Sequence, residues 1–477
     1  MGNFVNAMRT KNTYTNNGAL TNSTSLNKCL DLFSVIGNHK DFKEEFWAAF
    51  AEDPNIALKI LFWSRDCRGG SGARKTFVEV FKEMQNTKPK LFSSLFRYIP
   101  EFGYWKDIYK NLKPTRELTK FIAETLKDEN DHSLCAKYFP RKGTWFGAMR
   151  KFLDCTPKEL RQLIVSKTQV VENYMCANNW KEINYQSVPS VAGLRYKNAF
   201  IKHDGDRYNE YIAKVNAGEA KINSSVLYPH NIYENYLKEI SNTSHLRGGI
   251  RCTYNDLSSD VTESLIAMWN NLPNFMEGCK ERLLPICDVS GSMTGTPMNI
   301  SISLGCYISE RNVGPFKNAF ITFSERPQMQ YLNGNIIERF GQLEHADWGM
   351  STNLQAVFNL ILTRAKQSNL SEEDMPTKIL IISDMHFNYA CRNNDQTNYE
   401  IIKQKYESAG YKMPGIIFWN VNGDAGNVPV TMLDDNVGLV SGYSPSILQS
   451  IFKAAVLTPM ELMLKTVNTP RYEMIHV

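Results

Sequence analysis

Hydrophobic positions change their period twice along this chain. The opening stretch, MGNFVNAMRTKNTYTNNGALTNSTS, is polar and carries no apolar run, so residues 1–25 read as a mobile leader. From Leu26 to about Arg161, segments such as DFKEEFWAAFAED, PNIALKILFWSRDC, ARKTFVEVFKEM and RELTKFIAETLKDE place apolar residues at i, i+3, i+4 and i+7, the stripe of a packed helix. Pro54, Pro100, Pro114 and the glycines between 69 and 72 punctuate them. Short helices joined by short turns predict a curved array of the HEAT-like kind, although no exact repeat is present. Residues 162–250 interleave aromatic and basic positions and predict helices between ordered loops. A polar loop is expected over 240–259, then a last helix in ESLIAMWNNLPNFM.

From 280 the pattern becomes strand, helix, strand. LLPICDV (283–289) is a short continuous apolar run, as in a strand buried on both faces. A helix follows from Pro297 to Arg311, then the strand NAFITFS, the helix TNLQAVFNLILTRAKQ and the strand TKILIISDM (377–385). The helix NYEIIKQKYESAG, the strand GIIFWNV (415–421), a short strand near NVGLVSG and the helix SPSILQSIFKAAV complete it. This alternation predicts a doubly wound parallel sheet. The expected fold class is multidomain, α plus α/β: a helical array over 26–279, then a sheet domain over 280–477.

Composition narrows the class. Of 477 residues, 43% are hydrophobic and 22% charged, which fits a soluble globular protein. No run approaches the roughly 18 apolar residues of a membrane helix. The leader lacks the apolar segment of a secretory signal, and the Ser/Thr a myristoylation motif needs after Gly2 is missing. The 10 cysteines are scattered without a C-x-x-C pair, which predicts buried free thiols in a reducing compartment and no zinc module. A cytoplasmic location is the expectation. Residues 1–279 carry 38 Lys and Arg against 30 Asp and Glu, while the remainder carries 16 against 19. That mild basic bias of the first part permits a polyanion partner without requiring one.

Candidate chemistry gathers at three strand ends, where ligands of open α/β sheets sit. The first strand runs into Asp288-Val289-Ser290-Gly291-Ser292, a D-x-S-x-S arrangement. Thr352 precedes the 352–367 helix, and TKILIISDM ends in Ser383-Asp384. Carboxylates and hydroxyls are hard oxygen donors suited to Mg²⁺, which retains waters and so leaves a position open to a further ligand. The plain alternative has Asp288 and Asp384 as solvated caps and Ser290 and Ser292 as a helix N-cap.

These residues resemble the metal-ion-dependent adhesion site of the von Willebrand type A family, with Asp288, Ser290, Ser292, Thr352 and Asp384 at its five positions. The resemblance implies Mg²⁺ or Mn²⁺ as cofactor and a protein partner that supplies an Asp or Glu to the ion. An alternative is a Mg-dependent phosphatase of the haloacid dehalogenase type, but that family needs D-x-D, and Ser290 stands where its acid would be. Neither G-x-S-x-G nor a Walker motif occurs. His345 and His386 flank the Thr352 and Asp384 loops, with loop packing as their expected role.

In the first half, Arg65, Arg68 and Arg74 surround a turn containing Gly69, Gly70 and Gly72. Such a turn can offer backbone N–H groups to a phosphate, or it can be a glycine cap with solvated arginines. Basic residues beside aromatics (Lys106, Arg195, Lys197, Arg207) suit phosphate contact with base stacking, or are ordinary surface charge beside core rings. With Ile99-Pro100-Glu101-Phe102-Gly103-Tyr104-Trp105, Val188-Pro189-Ser190 and Leu227-Tyr228-Pro229-His230, the chain resembles the family catalogued as domain of unknown function 2828. More distantly it resembles the TROVE (Ro autoantigen) architecture, which implies binding of structured RNA. The function expected is a non-catalytic scaffold. A purely protein-binding assembly factor, virion-associated if the source is viral, is the alternative.

Overall fold

The computed structural model describes residues 10–36, 40, 42–128, 133–224, 226–246, 253–323, 326–344, 351–389, 396–453 and 457–477. A helical N-terminal region leads into a mixed six-stranded sheet.

The helices form where the apolar stripes predict them and start at recognisable caps. Asp53 accepts from the backbone of Asn55 and Ile56 ahead of Pro54–Arg65, with Pro54 in the first turn, and Thr115 caps Arg116–Lys127. Their apolar faces meet in a core rich in aromatics, in which Phe62 makes edge contacts with Phe77, Phe81 and Phe102. The helix Ser190–Asn216 is broken by non-helical angles at Asp204. There the Asp204 carboxylate accepts from the Tyr185 hydroxyl at 2.7 Å and pairs with Arg207. The polar loop expected over 240–259 begins later than predicted, because the helix Pro229–Leu246 continues through its first residues; 247–252 fall outside the described residues.

The sheet strands are β3 (Leu283–Cys287), β4 (Ala319–Thr322), β5 (Met329–Tyr331), β6 (Lys378–Ser383), β7 (Gly415–Asn420) and β8 (Val437–Ser441), in the order β5-β4-β3-β6-β7-β8. All pairs are parallel except β4 with β5. The wholly parallel sheet expected is therefore mixed at one edge. Three half-exposed residues in β5 are too few to show a period, and the helix Ile336–Glu344 after them was not foreseen either. The helix Thr296–Arg311 crosses β3 and β4 at very close range, with Gly305 lying directly over Cys287 Sγ.

Residues 10–25, expected to be mobile, are held in place. They form the small hairpin β1 (Thr13–Tyr14) and β2 (Leu20–Thr21), and Asn22 bridges to Val428 by backbone bonds in both directions. The helix Lys28–Ser34 then docks beside β8. The Ser441 hydroxyl donates to Phe33 O (2.6 Å) and accepts from Ile36 N (2.9 Å), while the Asn420 amide donates to Ser34 O (2.8 Å). At the far end of the chain, Arg471 and the Tyr472 hydroxyl both reach buried Asp66. One hydrophobic cluster accordingly extends from Ala19 to Ile475, so the change of secondary structure near 280 is not a break in the core. Among the described residues no helix is long and apolar enough to cross a membrane.

Candidate functional site

β3 and β6 are adjacent and parallel, with Cys287 opposite Ile382, so the two chains leave the sheet side by side. Asp288 follows β3 and Asp384 follows β6, and both are buried. Asp288 Oδ1 accepts from Ser290 N (2.9 Å) and Oδ2 from the Ser383 hydroxyl (2.5 Å). Ser290 Oγ and Ser292 Oγ are 3.0 Å apart. Met385 takes a left-handed conformation (φ +67°), which turns the chain sharply after Asp384, whose Oδ1 accepts from His386 N (3.2 Å).

The third loop brings Thr352, which precedes the helix Leu354–Gln367 capped by Asn353. The Thr352 carbonyl accepts from Asn388 N (3.1 Å), tying this loop to the one after Asp384. Its hydroxyl is buried and has no hydrogen-bond partner among the described residues. A buried hydroxyl left unmatched in this way is costly unless something completes it. Burial, and next the negative charge of Asp384, push the Asp288 carboxyl up to about 6. Both observations suit a cation between the three loops. Among the described residues no group of three or more His, Cys, Asp or Glu comes together. Any ion here would depend on hydroxyls beside two carboxylates, a donor set for a hard cation such as Mg²⁺.

Two features of this site went unread in the sequence. Ser383, next to Asp384, holds Asp288 by its hydroxyl. The leader also braces the loop beyond Asp384: the Thr15 hydroxyl donates to Phe387 O (2.7 Å), the Asn17 amide donates to His386 O (2.6 Å), and Gly18 bridges to Asn388. The His386 ring faces Asn16, Asn427 and Asp424 at 3.4 to 3.6 Å, a packing environment. His345 lies outside the described residues.

The basic candidates of the helical region divide into two groups. Arg65 is fully buried, and its Nε donates to Asp107 Oδ2 (2.8 Å); Arg74 takes Oδ1 of the same carboxylate (2.6 Å). Lys197 is buried against Glu239, and Arg207 is spent on Asp204 and the carbonyls of Trp180 and Ile183. Arg68 donates to Glu101 O, and Lys106 sits 4.4 Å over the Tyr138 ring. The glycine-rich turn uses several of its own N–H groups internally: Gly70 to Asp66 O, Ser71 to Trp63 O and Ala73 to Ser64 O. Gly72 (φ +78°) has the Tyr228 ring where a Cβ would stand. The turn is therefore filled by a tyrosine rather than open as a backbone cradle. Arg65, Arg74 and Arg195 nonetheless line one cleft, together with Lys238.

Residues 282–470 match a family described as Domain of unknown function (DUF7788). An uncharacterized protein of Acanthamoeba polyphaga mimivirus is 27% identical over 514 aligned positions that cover 94% of this chain and 86% of the relative. Residues 15–117 and 113–270 match a second family model, and on that match over more than half its length this chain belongs to the family described as Domain of unknown function (DUF2828).

Proposed function

We propose that residues 280–477 act as a von Willebrand type A-like module that holds Mg²⁺ or Mn²⁺ through Asp288, Ser290, Ser292, Thr352 and Asp384. The ion offers an open coordination position to an Asp or Glu of a protein partner, and the chain works by binding rather than by turnover. The observation that carries this reading is the buried, unmatched Thr352 hydroxyl on a loop tied to the one carrying Asp384. The run of parallel strands that delivers Asp288 and Asp384 together also supports a type A fold. Within the site Ser383 and the backbone of Ser290 orient the Asp288 carboxylate, and the leader holds the loop beyond Asp384. The helical region preceding such a module is consistent with a HEAT- or TROVE-like scaffold, and any RNA contact falls to cations the fold has not already neutralised.

Calorimetric titration of the full chain with Mn²⁺ tests the reading. The expected result is one ion per chain for the wild type, none for Asp288→Asn, and affinity at least about tenfold lower for Thr352→Ala. Water relaxation by the bound Mn²⁺ should then fall when glutarate is added, as a carboxylate displaces ordered water. Equal Mn²⁺ binding by wild type and Asp288→Asn would remove the site from consideration.

A further inference from the structure

We propose that a second site, independent of the metal reading, binds the phosphate of a nucleotide, either free or at the end of an RNA strand. It is a cleft of about 520 Å³ between the turn carrying Arg65 and Arg74, the helices Ser190–Asn216 and Pro229–Leu246, and the segment after β8 that carries Tyr443. This volume falls in the range of small-ligand pockets.

Charge is the first argument. Arg74, Arg195 and Lys238 are exposed and reach the opening from three separate elements. Neither Arg195 nor Lys238 has a carboxylate ion-pair partner among the described residues, and Arg74 must share Asp107 with Arg65. Glu234 is the one acidic residue of the lining, so the opening keeps a positive excess. The crowding is felt nearby: the Lys106 ammonium is depressed by burial first and then by Lys110, Arg195 and Arg74. Cations converging from three elements suit a doubly charged phosphate better than a single carboxylate.

The cleft's lining supplies the second argument. His230 lines it almost fully buried, and its Nδ1 has no hydrogen-bond partner among the described residues. The buried Asn235 Oδ1 in the same lining is likewise without one. Unmatched buried polar atoms on a cavity wall point to a ligand that completes them. Tyr104, which carries Arg65 at 4.8 Å over its ring, and Tyr228 add aromatic surface. Rings with amide and imidazole groups beside them match a nucleobase, while the cations at the mouth match its phosphate.

The test uses the full chain with three probes: inorganic phosphate, adenosine 5′-monophosphate, and a short RNA with a 5′-phosphate. The variants are Arg195→Ala/Lys238→Ala, whose residues are exposed, and Lys158→Ala/Lys181→Ala as a charge-matched control away from the cleft. Saturable binding of the nucleotide or the RNA with Kd below about 1 mM is expected. It should weaken at least tenfold in the first double variant and stay unchanged in the control. Binding of the nucleotide but not the RNA assigns the free ligand, and binding of the RNA assigns a strand end. The proposal is overturned if no probe binds up to about 10 mM, or if the Arg195/Lys238 variant binds as the wild type does.

Discussion

The Thr15 hydroxyl donates to the carbonyl of Phe387 across 2.7 Å and 372 positions of sequence. The same oxygen accepts from Ala19 N (2.9 Å), so one side chain both closes the leader's turn and fixes it to the loop beyond Asp384. Thr15→Val removes both bonds in a buried setting and is expected to cost about 1–3 kcal/mol. Urea unfolding measures that loss, and Mn²⁺ affinity should fall with it because the braced loop follows Asp384. An unchanged urea midpoint would show that the leader rests on the site without supporting it.

Asp107 neutralises a fully buried arginine. Its Oδ2 pairs with Arg65, its Oδ1 with Arg74, and Oδ2 also accepts from Tyr104 N at 3.0 Å. Asp107→Ala strands the Arg65 charge and is expected to destabilise by about 3–5 kcal/mol. Arg65→Met combined with Asp107→Leu should recover much of the loss, because no isolated charge is then left inside. A double variant as unstable as Asp107→Ala alone would contradict this account.

Gly305 lets the helix Thr296–Arg311 lie close against β3. A Cβ there would overlap Cys287 Sγ, one residue before Asp288. Gly305→Ala is expected to cost about 1–3 kcal/mol through overpacking. Cys287→Ala in the same chain should relieve part of it, and thermal melts of the three variants measure the coupling.

Burial holds the His230 imidazole down, from 6.5 to about 4. Between those values the unfolded chain takes up a proton that the native chain refuses. Stability is therefore complete above about pH 6.5 and declines as the pH falls towards 4, by up to about 3 kcal/mol. Urea titrations across that window should show the slope in the wild type and a flatter one in His230→Phe. Parallel slopes in the two proteins would place the acid sensitivity elsewhere.

The residues Asp288, Ser290, Ser292 and Asp384 could be read from sequence because each sits just beyond a buried apolar run, and parallel strands deliver their ends to one side of a sheet. Thr352 was legible for a related reason, as the residue before a strongly patterned helix. β5 was not, since Met329, Gln330 and Tyr331 at a half-exposed edge show no alternation. Nor was the leader, whose Thr15, Asn17 and Asn22 act through side-chain bonds to backbone nearly four hundred residues away. Such bonds leave no period behind. Basic residues were legible as a surplus but not as partners: nothing in the sequence couples Arg65 to Asp107 or Lys197 to Glu239. Composition counts charges, whereas function depends on which of them the fold has already neutralised.

The hairpin at residues 13–21 and its bridge from Asn22 to Val428 set the order in which this protein can be finished. The segment 13–22 is synthesised 372 to 406 residues ahead of the backbone it pairs with. At ~5–20 residues per second that is a wait of roughly 20 to 80 seconds. The helix Lys28–Ser34 must wait equally for β8. Until β7 and β8 are made, the helix Lys28–Ser34 can pack on Phe42–Glu52 and Pro54–Arg65 but lacks the Asn420 and Ser441 side chains that tie down its C-terminal end. A chain that stops before β8 leaves the Phe33 carbonyl and the Ile36 N–H without the Ser441 hydroxyl and uncovers the buried strand β7, an apolar edge open to pairing with another chain.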